Sequence, residues 1–82
     1  MTVKRNYSTM AVEVVSCAPT MIRYKRVDSG LERLHFTRDG LEQLVTPGTK
    51  YLVTAHVSND IWDWVKVVEM NLGKTIVDKE PK

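Results

Sequence analysis

Residues 21–37 read MIRYKRV-DSG-LERLHFT, and this segment constrains the fold more than any other in the chain. Two runs of strand-forming residues flank a tripeptide whose Gly30 suits the left-handed position of a three-residue hairpin loop. With Val27 closing the loop against Leu31, Ile22 lies opposite Phe36, Tyr24 opposite Leu34 and Arg26 opposite Glu32. One face is then apolar and ends in a complementary charge pair. The other face carries Arg23, Lys25, Arg33 and His35, with Lys25 directly opposite Arg33.

The remaining segments extend this β pattern. Met10 to Ala18 is rich in β-branched residues and is closed by Pro19, so it is expected to be a strand. Thr37 can cap a short helix from about Arg38 through Val45, with Leu41, Leu44 and Val45 on one side and Pro47 as terminator. Pro47-Gly48 signals a turn, after which Tyr51, Val53, Ala55 and Val57 alternate along one face of a strand. The run IWDWVKVVEM fits both a helix and a strand, and pairing favours the strand. With Asn59-Asp60 as a turn, His56 faces Asp63, Lys50 faces Glu69, Ala55 meets Trp64 and Tyr51 meets Val68. Asn71-Leu72-Gly73 repeats the loop logic of Asp28-Ser29-Gly30, setting Val68 opposite Ile76 and Lys66 opposite Asp78.

The expected fold is therefore mainly β (α+β): a small curved sheet or open barrel of about six short strands with one short helix, in the order β-β-β-α-β-β-β. The expected inward set is Val12, Val14, Ile22, Tyr24, Leu34, Phe36, Leu41, Leu44, Val53, Ala55, Trp64 and Val68. The alternative is an α+β sandwich in which residues 59–71 form a helix covering the sheet.

At 82 residues, one globular domain over residues 9–78 is expected, with residues 1–8 as a flexible basic arm and residues 79–82 as a polar tail. A chain this short buries only roughly 60–65% of its unfolded surface, which leaves a thin core and little room to enclose chemistry. Charged Lys4 and Arg5 precede polar residues rather than an apolar run, no stretch reaches spanning length, and Cys17 is the only cysteine. A cytoplasmic location, no membrane association and no internal disulfide are the expectations, and the sequon Asn6-Tyr7-Ser8 then carries no meaning. The net charge is +2, but residues 1–40 hold seven Lys or Arg against four Asp or Glu, so the N-terminal half is the basic one.

Motifs for catalysis are missing. Cys17, His35, His56, Asp60 and Asp63 are the residue types that bind metals, yet none of the ligand spacings occurs among them, so neither a metal nor a cofactor is expected. Gly73-Lys74-Thr75 resembles the end of a phosphate-binding loop, but Val68 stands where that loop needs glycine. His56 facing Asp63 could form the base half of a minimal hydrolase, although no strained nucleophile elbow or oxyanion loop accompanies Thr54 or Ser58. A cross-strand ion pair is the simpler explanation, and the chain is read as no enzyme.

Two features point to binding. Like charges facing across a ladder are destabilising, so Lys25 opposite Arg33, flanked by Arg23 and His35, suits an anionic partner. Solvated splaying of the long side chains is the competing explanation. Trp62 and Trp64 share a face; core packing is the default role, but Trp is also enriched at the energetic centres of interfaces. The leading expectation is a small regulator or inhibitor that binds a protein with an acidic surface, through Arg23, Lys25, Arg33, His35 and Trp62. In size and make-up the chain is similar to the short accessory proteins of phages and mobile elements. Weakly sequence-specific nucleic-acid binding by the same basic face, with Lys4 and Arg5 as an arm, is the second expectation, and homo-oligomerisation through exposed strand edges remains open.

Overall fold

The computed structural model describes residues 6–58 and 61–79. Six strands, β1 (Asn6–Ala18), β2 (Met21–Arg26), β3 (Glu32–Phe36), β4 (Lys50–Ser58), β5 (Ile61–Glu69) and β6 (Lys74–Asp78), form one open antiparallel sheet in the order β3-β2-β1-β4-β5-β6. The mainly-β fold is as the sequence predicts. Residues 61–69 form a strand, which overturns the sandwich alternative. The expected helix over Arg38 to Val45 is reduced to a single 3₁₀ turn, Leu41–Gln43. Gly40 is the reason: it sits at φ 78°, outside helical space, so Thr37 cannot cap a helix through it. The Thr37 hydroxyl instead donates to the Glu42 carboxylate, which also accepts from the Thr20 backbone N–H and so ties the 3₁₀ turn to the β1–β2 turn.

β1 is the spine of the sheet. Its first half, from Asn6 to Glu13, pairs with β4 and its second half, from Val12 to Ala18, pairs with β2. Asn6, Tyr7 and Ser8, expected to belong to a flexible arm, are in this ladder opposite Val57, His56 and Ala55. Lys4 and Arg5 lie outside the described residues, as do the Asn59-Asp60 turn and residues 80–82 of the tail. Lys79, also assigned to the tail, donates its backbone N–H to Val65 O and pairs its ammonium with Asp39.

The β2–β3 hairpin has a different register from the expected one. Arg26, not Val27, closes the loop: its N–H donates to Leu31 O at 2.9 Å, and its carbonyl accepts from Gly30 N–H at 2.8 Å. Gly30, at φ 74°, is the first residue of a bulge in which Gly30 and Leu31 together oppose Arg26. The pairs become Met21–Phe36, Ile22–His35, Arg23–Leu34, Tyr24–Arg33 and Lys25–Glu32. A shift of one residue moves every side chain of β3 to the opposite face. Lys25 therefore faces Glu32 rather than Arg33, and the four expected basic residues do not share a face. The β5–β6 hairpin repeats the shift: Gly73 N–H bonds to Glu69 O, and Glu69 faces Lys74, so Val68 meets Thr75 rather than Ile76. An irregularity between Val67 and Val68 then restores Lys66 opposite Asp78, as expected.

The core follows from these registers. Met10, Val12 and Val14 of β1, Ile22 and Tyr24 of β2, Tyr51, Val53 and Ala55 of β4, and Trp64 and Val67 of β5 are buried, with Leu41 and Val45 packing from the 3₁₀ region. Leu34, Phe36 and Leu44, expected inside, are exposed, and Val68 is half-buried. In β5 an extra residue at Val65 puts Trp64 and Val67 on one face: Ala55 still meets Trp64, but Tyr51 now meets Glu69. Their three-residue spacing on one face is thus a strand bulge and not a helical turn. Bulges increase local twist, and with them the sheet curls until β3 and β5 meet across its concave face.

Candidate functional site

Where the sheet curls over, the His35 imidazole of β3 lies flat on the Trp64 indole of β5, with centroids 4.4 Å apart and planes 5° from parallel. Tyr24 meets the same indole edge-on at 5.0 Å. Burial against these rings lowers the His35 pKa to about 4, and nearby Asp63 opposes the shift only in part. His35 is therefore neutral at physiological pH and adds no positive charge to the face on which the sequence placed it with Arg33. The Trp64 indole is buried and its Nε1 has no hydrogen-bond partner among the described residues.

Above this stack opens a cleft of about 630 Å³. Its lining runs without a break through Arg33, Leu34, His35, Phe36, Thr37 and Arg38 on one side, and through Ile61, Trp62, Asp63 and Trp64 on the other. Met10, Tyr24 and Arg26 complete it. The cations are unequal. Arg26 makes a bidentate pair with Asp28, its Nε at 3.1 Å from Oδ1 and its Nη2 at 2.9 Å from Oδ2, which raises the Arg26 pKa and lowers that of Asp28. Arg33 and Arg38 are exposed, and Asp63 is the one carboxylate in the lining. Trp62, 40% exposed, lies opposite Val57 on the face it shares with Trp64.

The residues singled out from the sequence thus separate. Arg33, His35 and Trp62 come together in the cleft, whereas Arg23 and Lys25 lie on the opposite, convex face with Leu34 and Glu32. Tyr24, Arg38 and the exposed edge of β3 were not anticipated as site residues, because the expected register turned Leu34 and Phe36 inward.

His56 does face Asp63 across the β4–β5 ladder, but its ring packs against Tyr7 at 5.3 Å. Cys17 is half-buried with Sγ 3.9 Å from Val45 O, and burial, then Glu42, raises its pKa, so it is held as a thiol. Among the described residues no three His, Cys, Asp or Glu gather into a set that could hold a metal ion; Asp60 lies outside them. No helix among these residues is long and apolar enough to cross a membrane. The chain matches no protein-family model, no curated protein and no solved structure.

Proposed function

We propose that this chain is a non-catalytic binding module, a small cytoplasmic regulator or inhibitor whose cleft takes an acidic, partly apolar segment of another protein. The observation that carries the reading is the make-up of the cleft: Trp62 and Trp64, Tyr24, and the cations Arg33 and Arg38 around one carboxylate, Asp63. Trp, Tyr and Arg dominate the energetic centres of protein interfaces, because each offers a large, stiff contact area with a polar tip. With His35 neutral and Arg26 neutralised by Asp28, the positive charge left to a partner comes from Arg33 and Arg38.

The test is affinity capture with the intact protein and with two variants at exposed positions, Trp62→Ala and Arg33→Glu. Each variant is expected to keep its melting temperature and to weaken retention of one stoichiometric protein by about tenfold or more. Equal retention by all three proteins would overturn the reading. So would recovery of nucleic acid in place of protein, the outcome expected if Arg33 and Arg38 bind phosphates beside the exposed face of Trp62.

A further inference from the structure

In a β-strand successive side chains point to opposite faces, so a cleft lined by consecutive residues of one strand is bordered by the strand's backbone edge. Arg33 to Arg38 and Ile61 to Trp64 line the cleft in this way. β3 is an edge strand. Arg26 N–H bonds to Leu31 O and Thr37 N–H to Thr20 O, so the odd-numbered residues of this strand turn their backbone groups toward β2. By the alternation of an antiparallel ladder, Leu34 and Phe36 present N–H and C=O outward. On the facing side, β6 pairs with β5 only from Lys66 to Glu69, and Lys79 N–H reaches Val65 O. Among the described residues Ile61 to Trp64 therefore have no neighbour on that side. The cleft is a slot between two strand edges.

We infer that an extended segment of the protein partner adds to β3 as a strand within this slot, with acidic side chains on the face of Arg33 and apolar ones beside Leu34 and Phe36. The inference rests on the binding reading above and specifies its mode. Four antiparallel steps separate β3 from β5, so these strands run parallel, and a strand added antiparallel to one is antiparallel to both. Charge selects the partner over a second copy of this chain. In an antiparallel pair of β3 edges joined through Leu34 and Phe36, only odd-numbered residues can face Arg33; within the strand these are Arg33 and His35, neither acidic, and Asp39 beyond it is already paired with Lys79. Leu34 and Phe36, 47% and 69% exposed, stand beside the open backbone of β3, where an added strand can pair.

The probes are the capped pentapeptide Val-Glu-Val-Glu-Val, its Val-Lys-Val-Lys-Val counterpart, and the Glu peptide with its valine amides methylated. Binding is read by NMR titration, together with amide hydrogen exchange at Leu34 and Phe36. The expected result is that the Glu peptide binds and slows exchange at both amides by about tenfold or more. The Lys peptide and the methylated peptide fail to bind, and Arg33→Glu reverses the preference to Lys. Binding of the Glu peptide without protection of these amides overturns strand addition and leaves the cleft-binding reading intact. Equal binding of the Glu and Lys peptides, retention of the methylated one, or no binding up to about 1 mM also overturns it. In each of those cases the capture experiment decides the broader reading on its own.

Discussion

His35 couples the cleft to pH. Its imidazole is driven into an aromatic stack that favours the neutral form, so its pKa falls from 6.5 in the unfolded chain to about 4 in the fold. Between these values the unfolded chain binds more protons than the folded one, so stability is complete above pH 6.5 and declines as pH falls toward 4. His35 is partly exposed, so after solvent screening the loss is on the order of 1–2 kcal/mol. Glu42 and Asp28, held below their ordinary pKa values by Thr37 and Arg26, add losses of the same sign only once pH drops below about 4.5, the ordinary value for Glu. The window from 4.5 to 6.5 therefore belongs to His35. Thermal melts across it should show a falling melting temperature in the native protein and a nearly flat profile in His35→Gln. An equal slope in both would place the titrating group elsewhere.

At the scale of elements, the two glycine-closed hairpins decide what the site contains. Because Lys25 faces Glu32 of β3 and Glu13 of β1, Lys25→Glu puts like charges in register on both sides and should destabilise the fold by roughly 0.2–1 kcal/mol per pair. A rise in melting temperature would instead restore the register in which Lys25 faces Arg33. Strand identity, strand order along the chain and the β4 face of Tyr51, Val53 and Ala55 were legible because alternation and turn residues act locally. The hairpin registers were not. Asp28-Ser29-Gly30 and Asn71-Leu72-Gly73 announce a loop with a left-handed glycine, but a glycine serves equally as the last loop residue or as the first bulge residue. That choice is made by contacts the loop does not contain: Val27 N–H bonding to Ala11 O, and Met70 N–H to Lys50 O. The same ambiguity hid half of the site. Trp62 and Arg33 could be singled out by residue type, whereas the cleft itself exists only because the shifted register lays His35 on Trp64.

For the whole molecule, β1 matters most. At about 3.3 Å per residue its 13 residues span most of the 43 Å long axis, and both halves of the sheet hang on it. Val12, fully buried, stands where the two ladders overlap, opposite both Arg26 and Tyr51. Val12→Ala should cost about 2 kcal/mol, from the lost methyl groups and the void they leave. Denaturant melts check that figure. Its effect on kinetics follows from topology. The β2–β3 and β4–β5 hairpins join neighbouring segments, but Met10 must find Val53 across the intervening chain. Contacts this distant in sequence are slow to form, so refolding is expected in milliseconds to seconds, with Val12→Ala slowing the folding limb. If Val12→Ala accelerated unfolding alone, β1 would be docking after the barrier rather than on it.

During synthesis the same spine has a waiting time. β1 is made first, and the ribosome must add every residue from Pro19 to Thr49 before β4 begins at Lys50. At typical elongation rates of about 5–20 residues per second that interval lasts seconds, long compared with the microseconds in which the β2–β3 hairpin closes. Through it the β-branched run around Val12, Val14 and Val15 has one ladder at most, and its other edge is open to any strand nearby. Glu13, within that run, faces Lys25 on the β2 side and is the charge that discourages foreign pairing on the open side until Lys50 arrives there.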